Sequence, residues 1–289
     1  MFQNPALQSM SKVITSLQNP LIKQILILQE KPRERRRQNL IVIEGIRETA
    51  LALKAGYPLT VVLHCEVILP LSQFEDLFPP EQLPGEVIQI SAEVFNRLAY
   101  RKDNGGVIAC ARTRQQRLTD LELPDNPLIL VLESVEKPGN LGAILRTADA
   151  AGISAIIFCD PQTDLFNPNT IRASLGTVFT NQVATASSAE AIAWLKEKGM
   201  NLFAAALSGG TWYHEADFRG PTAIVMGSEA FGLSTGWLAE AEQCIKIPMQ
   251  GEVDSLNVAA SAAILVFEAM RQRGFTYISR PRASGPEIL

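Results

Sequence analysis

Three short stretches hold the polar side chains best placed for chemistry. In EKPGNLGAILRTADAAG (136–152), Asn140 precedes Arg146 by six residues and Asp149 by nine. In IVMGSEAFGLS (224–234), Gly227 and Gly232 bracket the carboxylate of Glu229. In IPMQGEVDSLNVAA (247–260), Asp254, Ser255 and Asn257 fall between Gly251 and an alanine-rich helix. Buried polar groups destabilise a fold unless they find partners, so polar residues between two apolar elements mark either a well-bonded turn or a binding site. A guanidinium stays protonated at any ordinary pH, so Arg146 is a fixed positive charge with planar donors. Arg146 could simply pair with Asp149 on its own helix, a common and weak surface ion pair, while the role preferred for Glu229 is to pair with Arg146 and position it.

The glycine loop is neither GxGxxG nor a phosphate-binding loop ending in Gly-Lys-Ser/Thr, and a nicotinamide cofactor is poorly supported. Four cysteines (Cys65, Cys110, Cys159, Cys244) and two histidines (His64, His214) show no zinc spacing, and the cysteines read as buried reduced thiols.

The elements that position these loops follow from periodicity. Near-continuous apolar runs, PLILVLESV, SAIIFCD, NLFAAAL, TAIVMG and CIKIPM, alternate with helices expected to start near Asn140, Asn167, Ser188, Ser234 and Ser255. Such strands, apolar on both faces, imply a parallel sheet covered on both sides, with ligands beyond the carboxyl ends of its strands. Asn140 and Ser255 are expected to cap their helices. Leu141, Ile144, Leu145 and Ala148 form a core stripe, with Gly142, Arg146 and Asp149 opposite.

Upstream, a stripe of Leu17, Leu21, Ile25 and Leu28 predicts a helix over 15–30, followed by the basic run KPRERRR (31–37). LIVIEG, TVVLHC, VIQIS and GVIACAR read as strands of a separate small α/β unit. The expected boundaries are 1–115 for this unit, 116–126 for a polar, proline-bearing linker, 127–275 for the larger domain and 276–289 for a frayed tail. The net charge is −4 over 289 residues, with residues 1–115 at +3. An acidic total can hide a local basic footprint, here Arg33, Arg35, Arg36 and Arg37. No apolar run is long enough to span a membrane, and the first residues do not read as a secretion signal, so a cytoplasmic protein is expected.

Together the three stretches resemble the three motifs of the SpoU (TrmH) family of RNA ribose 2′-O-methyltransferases. Asn140, Arg146 and Asp149-Ala150-Ala151-Gly152 match the first. Gly227, Glu229, Gly232 and Ser234 match the second, and Ile247 to Gly251 with Ser255 to Val258 match the third. IRASLGTVF (171–179) adds a further family-like segment, and the N-terminal unit is similar to an L30e-like substrate-binding domain. The resemblance implies a deep trefoil knot in the C-terminal domain, S-adenosylmethionine as methyl donor, no metal, and a homodimer through the knotted domain. It implies RNA as partner, with rRNA favoured over tRNA. It further implies cofactor contacts at Leu207, Gly227, Ile247, Met249 and Leu256, and a reacting site at Arg146, Asn140, Glu229, Ser255 and Asn257. The rival readings are a non-catalytic RNA-binding or ribosome-assembly protein of the same fold, a guanine N1 methylase of tRNA and, more remotely, a dehydrogenase.

Overall fold

The computed structural model describes residues 13–83, 85–100, 105–114 and 116–275. The tail expected over 276–289 lies outside them. The chain forms two compact units. One runs up to Arg114 and takes back Phe166–Thr180; the other holds 116–165 and 181–275.

The first unit is built on a mixed five-stranded sheet. Its strands are β1 (Val13–Ile14), β2 (Leu40–Glu44), β3 (Leu59–His64), β4 (Glu86–Ile90) and β5 (Val107–Arg112), in the order β1-β4-β3-β5-β2. β5 is antiparallel to both β2 and β3. Helix α1 (Pro20–Glu30) lays Ile22, Ile25 and Leu28 on this sheet's core. It is shorter than the stripe predicts because Asn19, not an earlier residue, caps it, its side chain accepting from the Leu21 amide at 2.9 Å.

The basic run is not an open coil. It forms helix α2 (Pro32–Gln38), started by a proline in its first turn and stopped by Asn39 in the left-handed conformation, φ 51°. Helices α3 (Ile46–Lys54), α4 (Leu71–Leu77) and α5 (Ala92–Leu98) complete the N-terminal part of the unit.

The second unit is a seven-stranded sheet, parallel throughout. Its strands are β6 (Leu128–Glu133), β7 (Ala155–Cys159), β8 (Val183–Ala186), β9 (Asn201–Ala205), β10 (Thr211–Trp212), β11 (Thr222–Met226) and β12 (Gln243–Lys246). The order is β10-β12-β9-β11-β6-β7-β8. β6, β7 and β11 are buried along their whole length, as strands covered on both faces must be. Four helices matter below: α6 (Pro138–Ala151), α7 (Ser188–Glu197), α8 (Thr235–Glu240) and α9 (Val258–Gln272). α9 packs along α6.

Two stretches depart from a linear division of the chain. The polar stretch after residue 115 is docked on the second unit's sheet: Gln116 bridges Ala184 beside β8, and Leu118, Leu121 and Leu123 pack on the core. The segment containing IRASLGTVF belongs to the first unit, through two short helices, Pro168–Ala173 and Thr177–Thr180. There the Arg172 guanidinium stacks 3.9 Å from the Tyr100 ring and pairs with Glu44 at 3.6 Å. Gly176, at φ 81°, lets the backbone of α3 approach: a Cβ would lie 3.0 Å from the Glu48 Cα.

Candidate active site

Because the second sheet is parallel, β6, β9, β11 and β12 deliver their loops to one edge. After β9 the chain turns against β12. The Ala206 amide donates to the Ile245 carbonyl at 3.0 Å, and Gly209 lies so close that a Cβ would meet the Ile245 carbonyl carbon at 2.8 Å. After β11 the glycine loop folds on itself. Ser228 and Gly232 exchange backbone hydrogen bonds of 3.2 and 3.0 Å, and a Cβ on Gly227 would come within 2.1 Å of Gly232. Gly227 is therefore required by its own loop, whatever else approaches it.

Glu229, at the tip of this loop, gathers the polar residues. Its Oε1 accepts from the Asn140 amide at 2.8 Å and from the Asn257 amide at 3.0 Å, while its Oε2 pairs with the Lys137 ammonium. Lys137 and then Asn140 hold the carboxyl below its usual range. Val135, Glu136, Lys137, Asn140, Glu229 and Ala230 line a recess of about 200 Å³.

Several expectations need correction here. Glu229 pairs with Lys137, not Arg146. Arg146 is exposed on α6, and its side chain has no hydrogen-bond or ion-pair partner among the described residues. Asn140 is not a helix cap: α6 begins at Pro138, so the Asn140 side chain is free to bond across the loop. Asn257, not Ser255, caps α9, its Oδ1 accepting from the Ala259 amide at 3.0 Å. Ser255 instead donates to Asp254 at 3.0 Å. Gly142 is buried with the core stripe rather than opposite it. Lys137 joins the site although none of the three motifs singles it out. The available signal was its position three residues before Asn140.

The proposed cofactor contacts sit on the same edge. Leu207 is 64% exposed and Leu256 40% exposed, and Ile247 and Met249 are half-buried just past β12. Apolar side chains left open beside a glycine loop suit a flat apolar ring flanked by main-chain polar groups.

In the first unit, Arg33 and Arg36 are exposed, and Arg37 pairs with Glu34 at 2.6 Å on the surface. Arg35 does not belong with them. It is 2% exposed, and its guanidinium donates to the carbonyls of Leu28 at 2.5 Å and Gln29 at 3.0 Å. It closes the carbonyl end of α1, where a cation is favoured, and cannot face RNA.

Comparison with known proteins gives the family of the chain. Residues 127–267 match the SpoU rRNA Methylase family, and residues 19–109 match an MRM3-like substrate binding domain. A tRNA/rRNA methyltransferase of Synechocystis, itself uncharacterised, is 31% identical over 90% of this chain and 94% of its own length. The chain belongs to the SpoU family. Among other relatives, the 23S rRNA guanosine 2′-O-methyltransferase RlmP of Bacillus subtilis is 29% identical over 89% of this chain and 98% of its own. The AdoMet-bound rRNA methyltransferase from Sinorhizobium meliloti superposes with a TM-score of 0.83 at 32% identity, covering 90% of this chain and 97% of that one.

Proposed function

We infer that this protein transfers a methyl group from S-adenosylmethionine to a ribose 2′-hydroxyl of RNA, and that the RNA is ribosomal. The observation that carries the reading is the convergence of all three motif loops on Glu229 at the carboxyl edge of a parallel sheet. The family and the relatives named above support it, and the rRNA substrate rests on the recognition unit at 19–109 together with those relatives.

The cofactor, when bound, supplies a methyl group already activated on a sulfonium, so no metal is needed. Gly227, Ile247 and Leu256 would hold it, with Leu207 and Met249 beside them. The chain's polar residues then have two tasks: to orient the ribose and to stabilise the oxygen as its proton leaves. Arg146 is assigned the second task. Its planar donors fit the phosphate next to the reacting ribose and the developing alkoxide. Asn140, Asn257 and Glu229, already bonded together, fix the loops against which the sugar is placed, and Ser255 lies beside them in sequence.

The reading includes a homodimer through the C-terminal domain, which would bring a second chain to the exposed Arg146. It also includes the trefoil knot. β12 is inserted between β9 and β10, two strands that precede it consecutively, which supports passage of the chain through their connection. Arg33, Arg36 and Arg37 are retained as phosphate contacts.

The test is incubation of the purified protein with labelled S-adenosylmethionine and total rRNA, then digestion to nucleosides. Label on ribose supports the reading, and label on a base replaces it with base methylation. A folded protein that binds the donor but labels no RNA would be a non-catalytic binder. Ribose-methylation mapping in rRNA from cells with and without the gene names the nucleotide.

A further inference from the structure

The loop that carries Glu229 is held at a second place by a residue outside the three motifs. Glu133 ends β6, and β6 runs beside β11 with Leu132 in register with Met226. Glu133 therefore stands beside Gly227, where the glycine loop departs. Its side chain is 6% exposed, and Oε2 accepts from the Ser234 amide at 2.7 Å, where the same loop returns into α8. The other oxygen, Oε1, accepts from the Ser188 hydroxyl at 2.8 Å. Ser188 is fixed in turn by the fully buried Trp237, whose indole N–H donates to Ser188 Oγ at 3.1 Å, and by Asp160, which accepts from the Ser188 amide at 3.0 Å.

A buried carboxylate is expensive unless its oxygens are bonded, and this one spends an oxygen on a single backbone N–H of the loop. β11 fixes the loop's departure through the sheet; on the return side Ser234 has Glu133. The Ser228–Gly232 bonds between these points make the loop a closed body, so releasing one end would tilt the whole.

We propose that Glu133 is a positioning residue for cofactor binding, holding the return end of the 227–234 loop through the Ser234 amide, with Ser188 and Trp237 as its support. This rests on the reading that the loop holds S-adenosylmethionine.

The test compares Glu133→Leu with Glu133→Gln in the full-length protein, reading the Kd for S-adenosylmethionine by calorimetry, KM and kcat separately, and folding by circular dichroism. Leucine leaves the Ser234 amide without an acceptor. Glutamine can accept that amide with its oxygen and donate its NH2 to Ser188, whose hydroxyl then turns to Asp160, 2.7 Å away. A hydrogen bond to a charged group is worth roughly a factor of ten or more in an equilibrium constant. Glu133→Leu should raise both Kd and KM by about tenfold while kcat at saturating donor stays within about threefold; Glu133→Gln should restore binding. If the leucine variant does not fold, Ser234→Pro removes the same donor at a φ of −64° that proline accepts, and should raise Kd alike. A folded Leu or Pro variant with wild-type Kd overturns the proposal, as does a kcat loss at unchanged Kd and KM. A wild-type protein that does not bind the donor would instead sink the underlying reading of the site.

Discussion

Asn140 and Asn257, 117 residues apart in the chain, lie 3.1 Å apart and share one acceptor, Oε1 of Glu229. The first turn of α6, the cap of α9 and the tip of the glycine loop are thereby fastened at one oxygen. Glu229→Ala should lower kcat/KM for methyl transfer by about 100-fold, as two charge-assisted bonds and an ion pair go together. Glu229→Gln keeps an oxygen for both asparagines and should lose much less. An alanine variant as active as wild type would remove Glu229 from the site.

The same carboxylate makes a statement about pH. Its folded value lies below the ordinary 4.5, chiefly because of Lys137. A depressed value contributes stability that is fully present above the unfolded value and is lost as pH falls through the folded one. The network should be indifferent to pH between about 6 and 9 and fail only in acid below about 4.5. Lys137→Met should move the Glu229 carboxyl titration upward, as read by carbon NMR; a downward or absent shift would reject the ion pair as the cause.

Arg146 makes no side-chain hydrogen bond or ion pair among the described residues, so nothing there ties it to the stability of the fold. Arg146→Ala should leave the melting temperature unchanged and reduce methyl transfer by about 100-fold or more, the scale of a lost transition-state donor. Arg146→Lys separates charge from geometry: full activity in it would argue against a planar, two-pronged contact.

The arginines of α2 should divide sharply. Arg35→Ala strips the Leu28 and Gln29 carbonyls of their donor and should cost about 2–3 kcal/mol of stability in a denaturant titration. Changing Arg33, Arg36 and Arg37 together to Gln should leave stability nearly intact, weaken RNA binding and flatten its dependence on salt. Equal salt slopes for wild type and the triple variant would dismiss the basic run as an RNA contact.

Burial pushes the Cys110 thiol up to about 12 and the Cys159 thiol well above its usual range, and Cys65 is also enclosed. Iodoacetamide at pH 8 should therefore modify Cys244, the half-buried one, before any other. Peptide mass spectrometry gives the order of labelling.

The sequence made some of this plain and concealed the rest for physical reasons. The apolar runs that became β6, β7 and β11 carry burial on both faces in their composition, so a parallel sheet could be foreseen. β1 and β10, two residues each, are too short for any period to register, and β8 is barely longer. The motif loops announced the site through residue type and spacing. Which side chains bond was settled by distant partners: Lys137 and Glu229 are 92 residues apart. Ser255 and Asn257 are both competent caps two positions apart, and only the start of α9 chooses between them. Arg35 looks like its neighbours in sequence. Its burial depends on where α1 ends.

The first unit's recovery of Phe166–Thr180 bears on any attempt to re-engineer target choice. A chimera that exchanges only the stretch up to Arg114 would graft the first unit without the helices that complete it, leaving Tyr100 and Glu44 facing a foreign Arg172. The natural cassette is discontinuous, and a swap should carry its inserted piece along.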